Sequence, residues 1–162
     1  MTNFVERIPD DVWAEVVKHM PIPSVDLVVR CADGILLAKR QNEPAKGEWF
    51  VPGGRVRKGE PLSEAVERVA QEELGVGVSI EERLGAYDHL YDTSDVDESG
   101  GKHYVANGFL VTPETEAFAL DGQHSDFSIF AVDSLPDLHP YVEAYLRAAS
   151  IDPDSVNRSP YE

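Results

Sequence analysis

A chain of 162 residues, 42% hydrophobic and 27% charged, is long enough for one domain with a proper core and short for two. Thirty Asp and Glu against fourteen Lys and Arg give a net charge of −16, and such a surface repels nucleic acid and anionic membrane, excluding both as expected partners. No stretch has the length of a transmembrane helix, and the first residues (MTNFVERIPDD) lack the basic start and apolar run of a leader, so the expected location is the cytoplasm.

Lysine is scarce among the cations. An acidic excess of this kind suits a protein working in concentrated salt, where screening removes self-repulsion; an ordinary acidic enzyme is the other reading. Half of the positive charge (Lys39, Arg40, Lys46, Arg55, Arg57, Lys58 and Arg68) lies between positions 39 and 68, which points to an anion bound there rather than to scattered ion pairs. Cys31 is the single cysteine. It excludes an intramolecular disulfide and a cysteine-based metal site, and reads as a small buried hydrophobe.

In chain order, Asp10 and Asp11 after Pro9 offer N-caps for a short helix whose Val12, Trp13, Val16, Val17 and Met20 share a face, and Pro21 and Pro23 end it. Ser24 to Cys31 and Ile35 to Arg40 read as strands around the turn Ala32-Asp33-Gly34. A loop follows from Asn42 to Gly47, then a short strand from Glu48 to Val51 running into Pro52-Gly53-Gly54. Pro61 suits a first helical turn, Leu62 to Leu74 carries the helix and Gly75 stops it. Strands are expected around 84–92, 103–112 and 127–132, with a polar loop (SDVDESGGK) between the first two. A last helix spans roughly His139 to Ala149. The expected organisation is one α+β domain over residues 1–150, a mixed sheet with helices on either side, and a polar tail over 151–162.

The chemistry concentrates in GRVRKGEPLSEAVERVAQEELGV, Gly54 to Val76. By helical angle, Leu62, Ala65, Val66, Val69 and Ala70 make an apolar face, with Glu73 in its middle and Glu72 at its edge. A carboxylate on an apolar face is costly without compensation. Arg68 stands one turn from both Glu64 and Glu72 and can pair with them. Glu73 then needs a partner of its own, and a hard cation held by oxygen ligands fits, with a snorkelling helix-end glutamate as the alternative. A Gly-Gly turn, a basic loop and an acid-bearing helix together suggest phosphate held by a divalent ion and guanidinium groups.

This stretch resembles the Nudix box, G-x5-E-x7-R-E-U-x-E-E-x-G-U, with Gly54, Glu60, Arg68, Glu72, Glu73, Gly75 and Val76 on its positions. The resemblance implies a Nudix fold, Mg²⁺ (with Mn²⁺ as a substitute) and a substrate built as a nucleoside diphosphate linked to another group. Val69 departs from the pattern by standing where it asks for Glu, and Ala70 is smaller than usual. The lost carboxylate should reduce the number of metals held and removes a base for attack at phosphorus. The segments PIPSVDLVVR, LLAKRQNEPAKGEWFVPGGRV, YDHLYD, KHYVANGF and DGQHSDF are similar to GDP-mannose mannosyl hydrolases, a branch in which water attacks the anomeric carbon and the nucleoside diphosphate leaves whole.

Carried over by position, this narrower resemblance implies that the carbonyl of Gly53, the carboxylate of Glu73 and the side-chain oxygen of Gln123 hold the metal. Glu72 is a further ligand candidate. His124 would deprotonate water, as an imidazole titrating near neutrality can. Arg40 and Arg55 would neutralise the departing diphosphate, Tyr104 would hydrogen-bond it, Asp26 and His89 would lie near the sugar, and Arg68 would orient its neighbours. Without the resemblance His124 reads as an exposed loop residue and Tyr104 as packing. Asp26, inside an apolar strand, is harder to dismiss. His19 and His139 read as helix-surface residues, and His103 is left open.

The expected substrate is a small nucleotide sugar, and the apolar N-terminal helix together with the resemblance suits a homodimer. Two other functions compete: pyrophosphate cleavage giving a nucleoside monophosphate and a phosphorylated group, and nucleotide binding without turnover. Retention of Glu60, Arg68, Glu72 and Glu73 argues against the last.

Overall fold

Ten residues that alternate between two different cores form the spine of the molecule. The computed structural model describes residues 7–42, 44–94, 96, 100–119 and 127–151. Strand β1 (Ile22–Cys31) sends Val25, Leu27, Val29 and Cys31 to one face of the sheet, and Asp26 and Val28 to the other. That is the period-2 signature of a strand covered on both sides.

Strand β2 (Gly34–Lys39) pairs antiparallel with β1 through Val29↔Leu36. A Cβ on Gly34, whose φ is +150°, would collide with the Phe130 carbonyl, so the turn needs glycine. The segment that follows enters between the two strands. Its first part, β3 (Trp49–Phe50), pairs with β2, and its second, β4 (Gly53–Arg55), pairs with β1. Hydrogen bonds from Arg40 N to Glu48 O (2.9 Å) and from Leu27 N to Pro52 O (2.8 Å) extend both ladders. On the far side of β1 lies β6 (Lys102–Pro113), parallel to it, and then β5 (Val78–Tyr91), antiparallel to β6. Strand β7 (Phe127–Phe130) pairs with β2. The sheet is therefore mixed, as expected, with seven strands among the described residues.

Helix α2 (Leu62–Leu74) covers one face. Its Ala65, Val66, Val69, Ala70 and Leu74 pack on Val25, Leu27, Phe109 and Val111. Helix α3 (Pro140–Ala148) covers the other, with Val142, Tyr145 and Leu146 against Val28, Leu37 and Leu110. Removing a core side chain such as Leu27 to Ala would cost about 2–5 kcal/mol. Helix α1 (Asp10–His19) lies at the periphery, with only Val17 buried. Among the described residues no helix is long and apolar enough to cross a membrane.

Local expectations hold in outline and fail in detail. Gly75 caps α2 in the left-handed region at φ 70°, donating to Gln71 O. Cys31 is buried, and burial with the nearby Glu116 and Asp33 pushes its thiol up to about 11, an unreactive state. Asp10 and Asp11 are not caps: Pro9 holds that position and both acids fall in the first turn, where they meet the helix dipole. Strand β5 begins six residues before the expected 84, because Ser79 to Arg83 is exposed and register shifts at Ile80/Glu82 and Arg83/Gly85 erase the alternation. The Gly53-Gly54 turn is itself strand. The tail beyond Ile151 lies outside the described residues.

Candidate active site

Helix α2 is fastened to the loop before it by ions. Arg68 donates from Nε to Glu60 Oε2 at 2.7 Å and from NH2 to Glu60 Oε1 at 2.9 Å; NH2 also donates to the Arg55 carbonyl at 2.8 Å. Its NH1 donates to Glu72 Oε2 at 3.1 Å, and Arg57 donates to Glu72 Oε1 at 3.2 Å. The Glu72 pairing matches the helical spacing, but the second partner is Glu60 and not Glu64. Helical spacing alone could not find it, because Glu60 precedes the helix. Burial would raise the Glu60 carboxyl, yet hydrogen bonds from Arg68 and from Arg57 N, with the two guanidinium charges, hold it below its ordinary value. Val69 is buried beneath this network, and a Cβ on Gly54 would lie 3.1 Å from its Cγ2. Where the box pattern places a carboxylate, this chain has part of its core.

An open cleft brings together Asp26, Arg40, Gly53, Gly54, Arg55, His89 and Tyr104. These come from β1, β4, β5, β6 and the end of β2, and only the fold makes them neighbours. An adjoining cavity shares Arg40, Phe50, Val51 and Gly53 with it and adds Glu73, which is half-buried. Arg40 donates to the Pro44 carbonyl at 2.6 Å and lies 5.9 Å from the Phe50 ring centroid. The Arg55 guanidinium lies 5.8 Å from the Trp13 ring of α1, and Lys102 Nζ is 5.2 Å from that same ring and 5.1 Å from the Tyr104 ring. Desolvation and the charges of Arg57 and Arg68 lower the Arg55 pKa. An anion in the cleft would reverse that penalty.

Asp26 and His89 form the buried floor. Tyr145 donates from its hydroxyl to Asp26 Oδ2 at 2.7 Å. Burial raises the Asp26 carboxyl to about 6, against the lowering effect of that hydrogen bond and of Arg40. His89 is pushed down to about 4 by burial and by His139, with Asp88 acting the other way. Its Nδ1 is 3.8 Å from Asp26 Oδ2, so the two make a close contact between a neutral ring and a carboxyl group rather than an ion pair. The imidazole stacks on Tyr141 at 4.2 Å and 2°, and its Nε2 has no hydrogen-bond partner among the described residues.

The donor set fits Mg²⁺. Among the described residues no three His, Cys, Asp or Glu converge as a metal centre. The cavity is instead lined by Gly53, which has only backbone oxygen to offer, and by a single acidic residue, Glu73. Few, hard oxygen donors suit an ion that keeps much of its water. A Cβ at position 53 would collide with the Asp26 carboxylate, so glycine is required for β4 to lie this close to the floor. Glu72 is half-exposed and already accepts two arginines. Gln123 and His124 lie outside the described residues.

Other residues of the cleft gave no sequence signal: Ser24, Phe50 and Tyr91 line it, and Tyr145 lies beneath. Each sits in an apolar or alternating segment and reads there as packing. His139 is no surface residue. It caps α3, its Nδ1 accepting from Tyr141 N at 3.1 Å, and packs 5.7 Å from Phe50. His19 pairs with Glu15 on the helix surface, and His103 faces outward toward Asp88 at 3.4 Å.

The NUDIX domain family model matches residues 20–149. Over 142 residues the chain is 54% identical to the low-salt glycan biosynthesis protein Agl8 of Haloferax volcanii, covering 88% of this chain and 90% of that protein. It is 31% identical over 118 residues to an ADP-ribose pyrophosphatase of Methanocaldococcus jannaschii, covering 73% of this chain and 66% of that one. Among solved structures it is similar to a MutT NUDIX hydrolase from Burkholderia pseudomallei, with TM-score 0.60 at 28% identity, covering 80% of this chain and 98% of the other. A UDP-X diphosphatase superposes with TM-score 0.61 at 21% identity over 89% of this chain and 72% of its own, a likeness of fold alone.

Proposed function

This chain belongs to the Nudix hydrolase family, and we propose that within it the chain is a Mg²⁺-dependent hydrolase of nucleotide sugars, of the GDP-mannose mannosyl hydrolase kind. The observation that carries the reading is the convergence of Arg40, Arg55, Tyr104, Asp26 and His89 on one cleft beside Gly53. Two guanidinium groups and a phenol suit a diphosphate. A carboxyl and a neutral imidazole on the floor suit the hydroxyls and the developing positive charge of a sugar.

In this reading the Gly53 carbonyl, the Glu73 carboxylate and the Gln123 side-chain oxygen would hold Mg²⁺, or Mn²⁺ in its place. When bound, the ion supplies positive charge to the leaving diphosphate. His124 takes a proton from water as the new bond forms to the anomeric carbon and the bond from that carbon to the diphosphate oxygen breaks. Arg40 and Arg55 meet the charge that builds on that oxygen, Tyr104 hydrogen-bonds the same group, and Arg68 fixes the loop carrying Arg55 through its carbonyl. Attack at carbon is supported by the boundary of the core. Val69 is buried where a base for attack at phosphorus would stand, and both oxygens of Glu72 accept from arginines.

The Haloferax volcanii relative is a glycan biosynthesis protein, which supports a sugar substrate. The Methanocaldococcus jannaschii relative, an ADP-ribose pyrophosphatase, supports the second reading, cleavage between phosphates. Hydrolysis of GDP-mannose in ¹⁸O-water distinguishes them. The proposal expects unlabelled GDP and labelled mannose; GMP and mannose phosphate would establish the second. A cytoplasmic location belongs to the same proposal, and so does a homodimer, supported by exposed Val12 on α1 and Met20 just after it; sedimentation equilibrium tests the dimer.

A further inference from the structure

We propose that Tyr145 is a positioning residue for the reaction in the cleft: helix α3 reaches through the core to hold the Asp26 carboxylate toward the substrate. This rests on the reading of Asp26 as a substrate-facing group. Tyr145 is fully buried and does not line the cleft, yet the acceptor of its hydroxyl is the carboxylate on the cleft floor, 2.7 Å away and 119 positions earlier in the chain. A buried tyrosine needs some acceptor, and a backbone carbonyl would satisfy it at less cost than a carboxylate.

The ring is held on several sides. It meets Tyr87 edge-on at 5.1 Å and tilts against His89 at 5.6 Å. On β6 it occupies a slot opened by Gly108, where a Cβ would collide with the ring carbons. Gly108 is also the register partner of Asp26 across the parallel β1–β6 ladder. The position of the hydroxyl is thus referenced to the strand that carries its acceptor. Oδ2 is anchored by Tyr145, while Oδ1 lies where a side chain on Gly53 would collide with it. The carboxylate is left one orientation.

The test is a mutant cycle on kcat and KM with GDP-mannose and UDP-glucose as probes. Tyr145→Phe keeps the ring and removes the hydroxyl. It should lower kcat about 10- to 100-fold, the rate equivalent of one charge-assisted hydrogen bond, with KM changed less than about threefold. In an Asp26→Asn background the same substitution should have no further effect, because the group it positions is gone. Should Tyr145→Phe fail to fold, ring-fluorinated tyrosine at position 145 changes the acidity of the hydroxyl while keeping the ring: kcat should respond to it with the Asp26 carboxylate present and not in Asp26→Asn, and a response that ignores Asp26 overturns the inference. An unchanged kcat in Tyr145→Phe while Asp26→Asn is slow overturns this inference alone. So does a Tyr145 effect of equal size with and without the Asp26 carboxylate, the mark of a general structural role. Wild-type kcat in Asp26→Asn overturns the reading of the cleft, and this inference with it.

Discussion

Arg68 closes a two-point ion pair on Glu60, Nε to Oε2 at 2.7 Å and NH2 to Oε1 at 2.9 Å, with the Glu60 side chain almost wholly out of water. Removing one member leaves the other buried and uncompensated, so Glu60→Gln and Arg68→Ala should each lose about 3–5 kcal/mol of stability in urea unfolding. Because the Glu60 pKa is depressed in the folded state, its contribution is present above the ordinary carboxylate pKa of 4.5 and is lost as pH falls through the lower folded value. Unfolding free energy of the wild type should therefore fall below that pH more steeply than in Glu60→Gln. Parallel slopes would remove Glu60 from the account.

Adjacent glutamates should behave differently. Glu73 lines the cavity beside Gly53, whereas Glu72 is held by Arg57 and Arg68. Glu73→Gln should abolish most Mg²⁺-dependent turnover without unfolding the protein. Glu72→Gln, which disturbs a supporting contact, should cost about 10- to 100-fold. Metal titrations of rate for both variants decide it, and full wild-type activity in excess chelator would remove the metal from the mechanism.

His89 provides a second pH signature of opposite chemistry. Its folded pKa is about 4 against an unfolded 6.5. Above pH 6.5 both states are neutral and it contributes no slope. Between 6.5 and about 4 only the unfolded chain takes the proton, so stability declines as pH falls, by roughly 3 kcal/mol over the window. Replacing His89 with Gln should flatten that stretch of the curve in denaturant titrations. A slope that survives the substitution would mean His89 is charged when folded.

The bond that breaks can be tested through His124 as well as through the products. As the general base for water, its replacement by Ala should slow release of free sugar about 10²–10⁴-fold, leaving nucleotide binding intact by calorimetry. If binding persists but neither variant nor wild type turns over any nucleotide sugar, a regulatory role replaces the enzymatic one.

A net charge of −16 predicts that added KCl raises the melting temperature from dilute to molar concentration, as screening relieves self-repulsion. Differential scanning fluorimetry across the series is sufficient. A flat or falling midpoint identifies an ordinary acidic enzyme.

The mixed sheet, the box helix and its Gly75 stop were legible because periodicity and spacing are local properties, and α2 spans the expected Leu62–Leu74. Arg40, Arg55, Asp26, His89 and Tyr104 were reached through resemblance to a family, since no periodicity relates residues brought together by five strands. Tyr145 was not reachable at all: it has the spacing of a core aromatic on α3 and is one, and only the tertiary fold reveals what its hydroxyl touches. Strand β4 was hidden by its own glycines, which read as a turn when considered one residue at a time.

The alternation of β1 has a consequence for how errors would propagate. Val25 and Leu27 face α2 while Asp26 faces α3, so a slip of one residue against β6 would exchange them. The carboxylate would then lie among Val66 and Phe109 with nothing to receive it, and the cleft floor would become a valine or a leucine according to the direction of the slip. Misregistered folding cannot yield a stable but inert protein at this strand. Recovery of activity on refolding is therefore a direct reading of how many molecules have paired β1 correctly.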